Sequence, residues 1–180
     1  MTKKLLLSAI VTVLSIVFFS LTASSQTAYL KYTVNGKTYN FTGDDANCFY
    51  KKGERGEDDK RDFEETSGYV MILADGNEKI SFIIRTQAGT KPTVSKIPYA
   101  SILSKTTTLP NVYLSLDQEI NDEYSFFWST EATKGTFEVT KSEGDWIEGT
   151  FDAILVNAYD TKIVPVKITN GLFRLKREAF

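Results

Sequence analysis

The chain has 180 residues, with 21 basic and 23 acidic side chains, a formal net charge of −2, one cysteine and no histidine. The missing histidine excludes Ser-His-Asp and Cys-His nucleophile pairs, imidazole acid/base chemistry and the usual zinc and haem ligation. A lone cysteine cannot close an internal disulfide, and the acidic balance lacks the basic surface that nucleic acid requires.

Met1-Thr2-Lys3-Lys4 is a short basic start, residues 5–19 are an apolar run, and Ala23-Ser24-Ser25 supplies small residues, which together have the layout of a secretory signal. The expectation is a signal-peptide helix over 1–25, cut after Ser25. The run falls short of the roughly 20 apolar residues of a transmembrane helix. Extending it to Ala23 brings it near the lower limit, so an uncleaved anchor is the alternative. No cysteine stands at the junction, so acylation as a lipoprotein is excluded. The protein is therefore expected to be exported, periplasmic or extracellular, with no stable membrane span after cleavage. Loss of 1–25 removes Lys3 and Lys4 and no acid, leaving 155 residues with 19 basic and 23 acidic side chains, net −4. That is one domain, 26–180, long enough to bury about two-thirds of its unfolded surface.

Alternation with a period of two runs through most of this domain. Asn35-Gly36 is a two-residue hairpin signal that pairs Val34 with Lys37, Tyr32 with Tyr39 and Leu30 with Phe41 on one face. A turn within Asp75-Gly76-Asn77 sets Tyr69, Met71 and Leu73 against Ile80, Phe82 and Ile84. A three-residue loop, Asn121-Asp122-Glu123, aligns Val112, Leu114, Leu116 and Ile120 with Tyr124, Phe126 and Trp128. A second three-residue loop, Ser142-Glu143-Gly144, sets Lys141 opposite Asp145, Val139 opposite Ile147 and Phe137 over Gly149. A four-residue loop over 158–161 pairs Leu155 with Val164, Ala153 with Val166 and Phe151 with Ile168, leaving Asp152 opposite Lys167. Beyond Ile168 the apolar positions change parity, which calls for a β-bulge at Asn170-Gly171.

Two segments break the alternation. Residues 51–67 hold twelve charged side chains in seventeen and read as a long loop or short exposed helix. Residues 87–110 contain Pro92, Pro98 and Pro110 and read as a long connection enclosing one edge strand. Short turns between strands with one apolar face each predict an all-β fold, an antiparallel sandwich built from successive hairpins; a lipocalin-like closed barrel is the alternative.

Carboxylates are the remaining acid/base groups. Asp58, Asp59, Asp62, Glu64 and Glu65 cluster in the charged segment, but without the glycine and distal glutamate of an EF-hand loop they read as a solvated loop rather than a calcium site. No catalytic residue, metal ligand or cofactor motif is identified. Cys48, beside Phe49, reads as a buried small hydrophobe, with an intermolecular bridge or reactive thiol as the alternative. Asn40-Phe41-Thr42 matches the N-glycosylation pattern. Trp146 alternates with Glu148, Thr150 and Asp152, and Phe127 with Ser125 and Ser129, so both are expected to face away from the core. Such outward aromatics are candidate contacts for a sugar or a protein. The competing reading is that a long loop folds over them.

The run Glu148-Gly149-Thr150-Phe151-Asp152-Ala153-Ile154-Leu155, followed by Val166-Lys167-Ile168-Thr169-Asn170-Gly171-Leu172-Phe173, resembles the closing strands of small exported β-domains of unknown function abundant in Bacteroidota. Tyr32-Thr33-Val34-Asn35-Gly36-Lys37 resembles their first hairpin. The matching pieces cover about an eighth of the chain. The resemblance implies a Gram-negative envelope location and brings no catalytic residues; many of those proteins are lipoproteins, from which this chain departs in lacking the acylation cysteine. The expected function is a non-enzymatic binding or structural module of the cell envelope, its partner a protein, a glycan or a small lipophilic ligand. A lipocalin-like carrier of a small lipophilic molecule is the alternative, and a carboxylate-dependent hydrolase the third.

Overall fold

Alternating apolar residues bounded by turn dipeptides build eleven strands among the residues that the computed structural model describes, which are 27–43, 46–52, 63–70, 78–87, 89–102, 108–120 and 123–179. They are β1 (Tyr29–Val34), β2 (Lys37–Thr42), β3 (Ala46–Lys52), β4 (Phe63–Val70), β5 (Glu78–Gln87), β6 (Ser95–Lys96), β7 (Asn111–Ile120), β8 (Glu123–Trp128), β9 (Gly135–Glu143), β10 (Trp146–Asn157) and β11 (Val166–Ala179). No helix among the described residues is long and apolar enough to cross a membrane. The expected signal over 1–25 lies outside the described residues, as do Asp58, Asp59 and Asp62.

The strands form an antiparallel β-sandwich. One layer has the order β2-β1-β11-β10-β9-β6 and the other β3-β4-β5-β7-β8. The layers are joined at two corners by strands that belong to both, a device of sandwiches whose strands turn from one sheet into the next. At one corner β10 hands Val156 and Asn157 to β8. At the other, β11 runs parallel to β3 through Arg177, Glu178 and Ala179.

Between the layers the core is packed rather than hollow. Phe82 of β5 meets Phe137 of β9 at 5.2 Å and Phe173 of β11 at 5.0 Å between ring centroids, each contact crossing from one layer to the other. Leu30, Ile80, Ile84, Leu114, Leu116, Ile147 and Leu175 fill the space around them with next to no exposure. Each such side chain contributes roughly 1.5–3 kcal/mol by leaving water. These contacts favour the sandwich over the barrel alternative.

The first hairpin forms in the expected register, with Asn35 at φ 50° and Gly36 at φ 80°, both in the left-handed region that a two-residue turn of this kind needs. The bulge also stands where parity called for it. The pairing steps from Phe151↔Gly171 to Ala153↔Ile168 on one side of β11 and from Lys31↔Leu172 to Thr33↔Thr169 on the other, with Asn170 at φ 54°. The 87–110 connection contains the two-residue edge strand β6.

Four expectations need correction. Tyr69 pairs with Ser81 and Gly68 with Phe82, so Tyr69 does not stand opposite the Ile80, Phe82 and Ile84 set as expected; Met71 and Leu73 lie outside the described residues. The charged segment is not all loop, because Lys51 and Lys52 end β3 and residues 63–67 begin β4. The ladder sets Lys51 opposite Glu65 and Lys52 opposite Glu64, and unlike charges across strands stabilise a pairing that apolar alternation cannot reveal. The β9–β10 turn has two residues, Gly144 at φ 57° and Asp145, and the extra residue is absorbed as a bulge where Lys141↔Glu148 steps to Val139↔Gly149. The last hairpin slips by two: Leu155 pairs with Val166, Ile154 rather than Asp152 lies opposite Lys167, and Val164 is 78% exposed. The slip arises from Asn157, whose Oδ1 accepts hydrogen bonds from the N–H groups of Tyr159 and Asp160, both at 2.9 Å, and starts a longer polar loop.

Candidate functional site

The two aromatic residues expected on the surface have opposite fates. Phe127 points inward and is 0% exposed, opposite Leu116 in the core. The cause is one residue of loop: Ile120 pairs with Glu123, so the β7–β8 connection has two residues rather than three, and a one-residue slip turns every side chain of β8 to the other face. The same slip puts Phe126 and Trp128 outward, opposite Asp117 and Ser115. Three consecutive aromatics, Phe126-Phe127-Trp128, occupy both phases of the strand, so alternation alone cannot choose between them. Asn121-Asp122 as a two-residue turn would have.

Trp146 does face away from the core, half-buried at the start of β10 between Glu143 and Lys176. The Arg174 guanidinium lies over its ring, 5.3 Å from the centroid, and Arg174 Nε sits 3.4 Å from Glu148 Oε1. A cation over an indole at a surface contributes about 0.5–1 kcal/mol. A neighbouring strand's arginine thus covers one face of the ring. Trp146 and Val156 stand ten residues apart on one strand, about 33 Å at strand rise, so Trp146 is no part of the aromatic group at the other end of β10.

That group sits at the corner where β10 passes from one layer to the other. Trp128 lies opposite Val156, which is 38% exposed. Phe126 meets Trp128 edge-on with centroids 5.9 Å apart, and Tyr159 lies 6.4 Å from Trp128 at an interplanar angle of 43°. Tyr159 is 85% exposed, the most exposed of the large apolar side chains described.

Each member is held by backbone and polar contacts rather than by its own packing alone. The ladder continues past Val156↔Trp128 through Asn157↔Phe127 to the Ala158 N–H, which donates to the Phe126 carbonyl at 2.8 Å. Asn157 then fixes the turn that presents Tyr159. On the other side of Trp128 the buried Ser129 donates through Oγ to the Ala100 carbonyl at 2.8 Å and accepts from the Leu114 N–H at 2.9 Å. This pins the end of β8.

Polar groups border the rings. Tyr113, on the same phase of β7 as Ser115 and Asp117, is almost fully covered. Burial, with further contributions from the charges of Asp117 and Tyr159, pushes its hydroxyl up to about 12, against a pull downward from its hydrogen bond with Ser115. Tyr113 therefore stays protonated, a neutral hydroxyl, at ordinary pH. Ser115 Oγ is in turn 2.7 Å from Ser81 Oγ. The arrangement offers ring faces, the exposed Tyr159 hydroxyl and the half-buried Asp117 carboxylate on a preformed backbone. Among the described residues no group of three or more His, Cys, Asp or Glu is placed to hold a metal ion.

No protein-family model, curated protein or solved structure matches this chain.

Proposed function

We propose that the protein is an exported, non-enzymatic binding module of the cell envelope whose contact surface is the aromatic corner of Trp128, Phe126 and Tyr159, and that its ligand is a neutral glycan. The carrying observation is the Trp128–Tyr159 pair, one ring anchored on a strand end and the other 85% exposed on a loop tied down by Asn157. Aromatic faces pack against the C–H faces of sugar rings while hydroxyl and carboxylate groups at their margin bond the sugar hydroxyls. The half-buried Asp117 carboxylate, opposite Phe126, and the exposed Tyr159 hydroxyl supply such a margin. The acidic net charge favours a neutral saccharide over an anionic one. The inter-layer phenylalanine contacts weigh against the carrier alternative, since they take up the volume a lipophilic ligand would need.

The test is tryptophan fluorescence and thermal shift of the purified protein against a panel of neutral oligosaccharides with glucose, xylose, mannose and galactose backbones. At least one should give a saturable change, and Trp128→Ala and Tyr159→Ala should each weaken it by about tenfold, the equivalent of one aromatic stack of roughly 1–1.5 kcal/mol. Tyr159→Ala should leave the melting temperature unchanged, because its ring is exposed. Binding that survives both substitutions, or no response across the panel, would overturn the assignment. Saturable uptake of an apolar fluorescent probe by the native protein would favour the carrier instead.

A further inference from the structure

The β2-β1-β11-β10-β9-β6 layer ends on two different edges. On one side is β6, only two residues long, and short edges resist pairing with other chains. On the other is β2, six residues with no proline and no bulge, paired among the described residues with β1 alone. Its single charged residue, Lys37, lies at the turn end with its ammonium 4.6 Å over the Tyr39 ring.

The hairpin phase determines what this edge presents. A two-residue turn makes Val34↔Lys37 a hydrogen-bonded pair, and the pairs then alternate, so Tyr32↔Tyr39 and Leu30↔Phe41 are hydrogen-bonded as well. Two contacts confirm the phase. Gly43 N–H donates to the Ala28 carbonyl at 2.8 Å, two steps beyond Leu30↔Phe41. Thr33 and Thr38 approach with their hydroxyls 2.9 Å apart, as side chains do in the narrow, non-hydrogen-bonded pairs. Thr38, Asn40 and Thr42 therefore turn their N–H and C=O groups away from β1, toward the open edge.

We propose that β2 is a self-pairing edge through which two copies of the chain form a two-fold symmetric dimer. Antiparallel pairing about Asn40 sets Asn40 opposite Asn40 of the second copy and Thr38 opposite Thr42 of the second copy. All three outward-facing residues are then used, giving six backbone hydrogen bonds. The two six-stranded layers become one continuous sheet. The side chains agree with this register on both faces. Outside, threonine meets threonine and asparagine meets asparagine, all exposed and uncharged. Inside, Tyr39 falls opposite Phe41 of the second copy. These two rings are half-buried, parallel to within 6° at 6.5 Å, and already stacked on Tyr32, so the dimer extends an existing aromatic stack across the dyad. Lys37 falls opposite Gly43, so no like charges meet.

Sedimentation equilibrium of the purified protein between 1 and 100 µM, under reductant so that Cys48 cannot link copies, tests the dimer. A concentration-dependent monomer–dimer equilibrium is expected. Thr38→Lys combined with Thr42→Lys places lysine opposite lysine and should raise the dissociation constant at least tenfold with the melting temperature of the dilute monomer unchanged, both side chains being exposed. Mixing the Thr38→Lys/Thr42→Lys variant with a Thr38→Glu/Thr42→Glu variant should restore association as a mixed dimer. Asn40→Pro gives an independent check, since the N–H it removes faces the open edge. A monomer at 100 µM, or a dimer indifferent to the paired lysines, would overturn the proposal.

Discussion

Truncating Phe82 to alanine tests the packed interior directly. Phe82 is fully buried, and its ring touches Phe137 at 5.2 Å and Phe173 at 5.0 Å, both from the opposite layer. Removing the ring deletes the contact between the layers at their centre and leaves a void bounded by two other phenylalanines that are themselves held by their strands. Phe→Ala substitutions at such sites cost about 3–5 kcal/mol, combining lost transfer free energy with the cavity left behind. Against a domain stability of roughly 5–15 kcal/mol this is a large fraction. For a domain of this length each kcal/mol shifts the melting temperature by about 2–4 °C, so a fall of some 6–20 °C is expected. Urea unfolding of the two proteins should show the midpoint lowered with the slope unchanged, which marks a change in stability rather than in compactness. Phe82→Leu, which keeps most of the volume, should cost about 1.5 kcal/mol or less. A loss below about 1.5 kcal/mol for Phe82→Ala would refute the reasoning, because a ring facing open space loses far fewer contacts than one wedged between layers.

Other expectations concern pH and two glycines. The Tyr99 hydroxyl donates to the carbonyls of Asp152 at 2.9 Å and Thr136 at 3.1 Å, and burial, aided by the Asp152 charge, raises it well above its ordinary value of 10.0. A raised acid holds its proton in the folded state after the unfolded chain has lost it, so the stabilisation is full below pH 10 and drains away as pH climbs above it. Tyr99→Phe should lose about 1–3 kcal/mol at neutral pH and then show a shallower alkaline decline, by up to about 1.4 kcal/mol per pH unit, in melts from pH 9 to 12; parallel declines would contradict the assignment. Gly36→Ala meets nothing within 4 Å and should cost only the left-handed backbone strain, about 1–2 kcal/mol. Gly149→Ala has no such strain, yet its added carbon would overlap the buried Phe173 ring and the Glu138 carbonyl, so it should be the more damaging of the two in denaturant melts.

What could be read from the residues depended on whether a turn admitted one loop length. Asn35-Gly36 admits a two-residue turn and little else, and every pair of the β1–β2 ladder followed from it. The Asn170 bulge was legible because the apolar phase on either side of it disagrees, and an extra residue is the only way to reconcile the two. Between β7 and β8, Asn121-Asp122-Glu123 could close as two residues or three, and the aromatics on both phases of β8 gave no vote. That ambiguity misplaced Phe127 and hid Trp128 and Phe126. Tyr159 was out of reach for a different reason. Its position follows from the Asn157 side chain starting a turn, while the neighbouring apolar Val164 invited an earlier strand start that does not form. The strand content of residues 63–67 was masked by charge, since pairing across β3 and β4 is invisible in either segment alone.

The sharing of β10 and β11 between the two layers has a consequence for how the chain is made. β11 is the neighbour of β1, β3 and β10, and β10 the neighbour of β8 and β9, so the last 34 positions from Trp146 to Ala179 complete pairings for strands spread over the whole described length. Such long sequence separations place the domain among slow folders. Without residues 146–179 the remaining strands can pair only as the β1–β2 hairpin, the β6–β9 contact and the β3-β4-β5-β7-β8 sheet, with no second layer to bury its apolar face. The apolar face of that sheet is covered only when the final strands pair.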